Sequence, residues 1–101
     1  MSVFVYRLNP PRPTFPADMT AEEGAAMQQH FAYWAGRMEE GGVLIAGPVM
    51  DPNGNHGLAI LEVQDRAAAA AICAADPVLS AGLGFTHTLC DMPKSLIRRA
   101  G

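Results

Sequence analysis

Proline and glycine stops cut this chain into six segments, and their order is strand, helix, strand, strand, helix, strand. Residues 2–8, SVFVYRL, are β-branched and aromatic with no Gly or Pro, which predicts a strand. Four prolines in NPPRPTFPADM, residues 9–19, force a loop. This loop is long for a small domain, and such loops often serve function. Thr20-Ala-Glu-Glu23 has the spacing of a capping box and opens a helix. Met27, Phe31, Trp34 and Met38 follow on one helical face, and Gly41-Gly42 ends the run. Residues 43–50 form a second strand, with Gly47-Pro48 marking a bulge or a sheet edge. The turn Asp51-Pro-Asn-Gly-Asn55 sends the chain back as a third strand, 56–63. Asp65 caps a second helix, Arg66 to Ala75, built on five alanines and closed by Asp76-Pro77. Residues 85–91 form the last strand, and Met92-Pro93 starts a tail.

The order β-α-β-β-α-β predicts an α+β, ferredoxin-like sandwich. In it an antiparallel four-stranded sheet carries both helices on one face. The strands are apolar on both faces. Val3 and Val5 oppose Phe4, Tyr6 and Leu8; Leu58 and Ile60 oppose Ala59, Leu61 and Val63. Phe85, His87 and Leu89 share a face against Thr86, Thr88 and Cys90. Two helices cover only one face, and a bare apolar sheet is rare on a monomer. The expectation is a homodimer with the sheets packed face to face.

The 101 residues suit one domain, residues 1–101, with no repeat and no linker. Half are hydrophobic and 17% are charged, a globular composition. The net charge is −3 and no Lys/Arg run exists, which argues against a nucleic-acid partner. No apolar run approaches the ~20 residues of a membrane span, and the N-terminus does not read as a signal peptide. A cytoplasmic protein is expected, with Cys73 and Cys90 as reduced, buried thiols.

His30 flanks the apolar stripe of the first helix, three residues after Met27 and four before Trp34. It can serve as a general acid/base or anion-binding group, or it can be a core-edge histidine tied to a carbonyl. Asp76 reads as a turn former before proline, or as a carboxylate that orients a histidine. Ser80 either donates to a ligand or caps a turn, and His87 can line a pocket or a dimer seam. Arg7 and Arg12 bracket the proline-rich loop, where either could hold a carboxylate or phenolate or sit solvated. Phe15, Tyr33 and Trp34 could wall a pocket. No HxxxH, CxxC or acidic cluster suggests a metal, no GxSxG suggests a serine hydrolase, and GGVLIAG is no dinucleotide fingerprint. No cofactor is expected.

Several pieces in order resemble the YCII-related (YciI-like) family of the dimeric α/β-barrel superfamily. They are Arg12-Pro-Thr-Phe15, His30-Phe-Ala-Tyr-Trp34, Gly47-Pro-Val-Met-Asp-Pro-Asn-Gly54, Asp76-Pro77, Ala81-Gly-Leu83 and Phe85. The resemblance runs from residue 3 to about 93 and implies a ferredoxin-like subunit whose sheet packs on its twin's. It also implies a pocket His–Asp pair at His30 and Asp76. Relatives in the family include an enzyme that eliminates chloride from chlorinated hydroxyquinols. The wider superfamily includes lactone isomerases and cofactor-free oxygenases. The implied activity is lyase- or isomerase-type proton transfer on a small cyclic or phenolic metabolite. His30 would be acid/base and Asp76 its partner, with Ser80, Arg12 and His87 as substrate contacts. The alternative is a non-catalytic or stress-related module that binds a small molecule, anionic or aromatic.

Overall fold

We describe a computed structural model of the chain over residues 1–99. The strands are β1 (Ser2–Asn9), β2 (Val43–Val49), β3 (His56–Val63) and β4 (Thr86–Asp91). The helices are α1 (Ala21–Glu40), α2 (Arg66–Ala74) and a single turn, α3 (Pro77–Ser80). The strands form one sheet in the order β2-β3-β1-β4, antiparallel at every pairing. This is the open α+β sandwich expected from the segment order.

Register decides which residues reach the helices. Phe4, Tyr6 and Leu8 lie opposite Leu61, Ala59 and Gly57, so one face carries the large buried side chains. Val3, Val5 and Arg7 lie opposite Glu62, Ile60 and Leu58 on the face that no helix covers. The alanine run of α2 presents no long side chain. Ala69 and Cys73 therefore seat directly on the sheet with no exposed surface. Cys73 is buried as expected, but Cys90 is exposed, because it alternates onto the uncovered face opposite Val5. Pro48 is tolerated because β2 is an edge strand, and the pairing shifts between Val43 and Ile45.

The helix α1 is set by its cap. The Glu23 N–H donates to the Thr20 hydroxyl at 3.1 Å, and the Thr20 N–H donates to Glu23 Oε1 at 2.9 Å. Gly41 and Gly42 end it with φ of 95° and 87°, values that glycine reaches without strain. The face turned to the sheet is Glu23, Ala26, His30, Trp34, spaced 3, 4 and 4. That is about one residue round from the expected apolar stripe. Phe31 and Met38 stay 55% and 41% exposed. They border a cavity over β2 instead of entering the core.

Candidate functional site

Asp76 is the centre of the site. It has no exposed surface, and it sits where α2 has ended and α3 begins. Pro77 cannot continue a helix, yet its fixed φ suits the first position of a new one. Asp76 thus becomes the N-cap of α3, with the Val78 N–H donating to Oδ1 at 3.1 Å. This use of one oxygen turns the other toward α1 and β1.

Oδ2 accepts three side-chain donors. His30 Nδ1 lies at 2.7 Å, Trp34 Nε1 at 2.8 Å and the Tyr6 hydroxyl at 2.8 Å. Tyr6 comes from β1, while His30 and Trp34 come from successive turns of α1. The site is therefore fixed by the packing of helix on sheet. Burial pushes the Asp76 carboxyl up, but the hydrogen bonds from His30, Trp34 and Val78 outweigh it and hold it below its ordinary value. Burial, and then the neighbouring Asp76 charge, pushes the Tyr6 hydroxyl far up, so it stays protonated as a donor.

These constraints select a tautomer. An ionised carboxylate only accepts, so Nδ1 of His30 must carry the proton. With the proton on Nδ1, an uncharged ring has its lone pair on Nε2. His30 lines a cavity of about 520 Å³ between α1, β2, β3 and the proline-rich loop. The arrangement is a ring nitrogen beside an apolar chamber, backed by a buried carboxylate that orients the ring.

The other expected contacts lie elsewhere. None of Arg12, Ser80 and His87 lines the cavity. The Arg12 guanidinium donates to both oxygens of Glu23 at 2.7 Å and to Asp18, fastening the proline-rich loop to the start of α1. The Ser80 hydroxyl donates to the Pro77 carbonyl at 3.2 Å and closes its own turn. The His87 ring, on the edge strand, lies 5.6 Å from the Tyr6 ring at a tilt of 43° and is not part of the cavity lining. Arg7 is bonded to Asn9 on the uncovered sheet face. Phe15 and Trp34 do wall the cavity, whereas Tyr33 packs beside it and donates to the Ile72 carbonyl.

The donor roles of Tyr6 and Trp34 are not legible in the segment pattern. Each looks like ordinary core, Tyr6 in a strand and Trp34 in a helical stripe. The available signal is chemical: a buried Tyr or Trp seeks a partner for its polar tip.

The YCII-related domain family matches this chain over residues 3–93. No curated protein matches it.

Proposed function

Because this chain belongs to the YCII-related domain family, we propose that it is a small enzyme that moves a proton on a cyclic or phenolic metabolite without a cofactor. His30 is the acid/base, acting through Nε2. Asp76 accepts from Nδ1 and so orients the imidazole. The observation that carries this reading is the crowding of His30, Trp34 and Tyr6 onto one buried oxygen. Three convergent donors are more than a terminating aspartate needs, and they leave one ring nitrogen basic next to a cavity.

Deuterium uptake tests the reading even though the natural substrate is unidentified. Phenols and enolisable cyclic ketones are incubated with the protein in D₂O and followed by NMR. The expected result is uptake at one carbon of at least one compound, lost in a His30→Ala protein that still unfolds cooperatively although it lacks one donor to Asp76. Equal uptake with wild type and His30→Ala across the panel overturns the assignment.

The working unit is proposed to be a homodimer built on the uncovered sheet face, where Val3, Val5, Leu58 and Ile60 form an apolar surface with Ile45, which is 62% exposed. Sedimentation at micromolar concentration should give twice the chain mass. A monomer would refute this part alone.

A further inference from the structure

The cavity beside His30 has a composition that selects among ligands. Four of the six methionines, Met19, Met27, Met38 and Met50, line it together with Phe15 and Phe31. Thioether side chains are polarisable and adapt to irregular apolar shapes. Among the described residues, no Arg, Lys, Asp or Glu is part of the lining. Its volume of about 520 Å³ falls within the ~300–1,000 Å³ usual for small-molecule sites.

Apart from the Asn55 amide and the outer nitrogens of His30 and His56, its polar side-chain groups are spent. Trp34 Nε1 and the Tyr6 hydroxyl both donate to Asp76, and His56 Nδ1 bonds the Gly54 carbonyl. The nearest cation of the proline-rich loop, Arg12, is held by Glu23 and Asp18 outside the lining. The formal charge directly behind the cavity wall is that of Asp76, and it is negative. A ligand carboxylate would lose its water, meet no fixed cation, and face this charge across the imidazole. A neutral hydroxyl meets a lone pair on Nε2 and can donate to it.

We propose that the cavity takes neutral, apolar, ring-sized molecules through one hydroxyl hydrogen donated to His30 Nε2, and rejects carboxylates of the same shape. This rests on the reading of His30 as the working group of the site. It decides between the aromatic and the anionic ligand, two options left open by the sequence.

The test is calorimetric titration of the whole chain near neutral pH with two matched probes, p-cresol and 4-methylbenzoate. The expected result is p-cresol binding at least about tenfold tighter, because the carboxylate's desolvation goes uncompensated. Equal or tighter binding of 4-methylbenzoate overturns the proposal, as does absence of binding by both at millimolar concentration. Location is checked with Ala46→Phe, which fills the chamber from the edge strand and should abolish p-cresol binding. Unchanged affinity in a folded Ala46→Phe protein overturns the assignment to this cavity. Should that variant unfold, the His30 ring signals of the wild type are followed by NMR. A shift on adding p-cresol is expected, and an unmoved ring refutes the contact. These readouts need no turnover. If p-cresol is preferred while deuterium uptake is absent, the proton-transfer function falls and this inference stands. If uptake depends on His30 while 4-methylbenzoate binds better, this inference falls alone.

Discussion

Glu23 and Asp76 are the two buried acidic side chains among the described residues, 4% and 0% exposed, and they are held in opposite ways. Glu23 faces a permanent cation. Both its oxygens accept from the Arg12 guanidinium at 2.7 Å, and Oε1 also accepts the Thr20 N–H. That pair cannot pass a proton near neutrality, because the guanidinium does not release one. Asp76 is held by the imidazole of His30 and by the neutral donors Tyr6, Trp34 and the Val78 N–H. The first arrangement fastens a loop to a helix. The second keeps a negative charge poised behind an imidazole. A buried carboxylate thus reads as structural or chemical according to whether its partners can change charge.

The comparison can be broken most directly at Asp76. Asp76→Ala removes the acceptor shared by Tyr6, Trp34 and His30 and strips α3 of its cap. The expected loss is about 3–5 kcal/mol, the range for leaving buried polar partners unpaired. Urea unfolding measures it. A loss below about 1 kcal/mol would mean the three donors find other partners and the node is not integral to the fold.

Tyr6→Phe is a finer cut at the same oxygen. The ring stays and one donor of three disappears, which should cost about 1.5 kcal/mol, the low end for a hydrogen bond to a charged group. Deuterium uptake should fall much less than in His30→Ala, because Tyr6 positions the carboxylate and does not face the reacting atom. If Tyr6→Phe abolishes uptake with stability unchanged, the division of labour is wrong.

The sequence makes the frame of this comparison legible and hides its joints. The segment order, the Thr20 and Asp65 caps, the Gly41-Gly42 stop and the third strand at 56–63 are readable because local chemistry fixes each of them. That His30 should face Asp76 is what the family resemblance implies rather than local chemistry, and the two lie 2.7 Å apart. The turn α3 escapes it because Pro77 both stops one helix and opens another, and periodicity registers only the stop. Phe31 and Met38 look like core because an apolar stripe does not say whether it meets a sheet or borders a cavity. Arg12 looks like a ligand contact because its partner Glu23 lies 11 residues on, across a loop whose path four prolines dictate.

The smallest effect lies in acid, where the two carboxylates should part company. Arg12 first, then the Thr20 N–H, hold the Glu23 carboxyl down from 4.5 to about 2. Asp76 is also below its ordinary 3.8, because the hydrogen bonds from His30, then Trp34 and Val78, outweigh the upward push of burial. In both cases the unfolded chain takes up its proton first as pH falls. Each group therefore stabilises the fold fully above its unfolded value and loses that contribution as pH drops through the folded one. Wild-type stability should decline as pH falls below about 4.5. In Glu23→Gln the part of that slope between pH 4.5 and about 2 should flatten, while the Asp76 part below 3.8 persists. Salt separates them further. Arg12 is 31% exposed on its side chain, so 1 M NaCl should weaken its hold on Glu23. Asp76 is fully buried, where salt screens little, so its share should barely move. Unfolding curves at pH 3 and pH 7, with and without salt, measure this difference. Equal salt sensitivity in wild type and Glu23→Gln would show that the ion pair at Glu23 contributes no acid-dependent stability of its own.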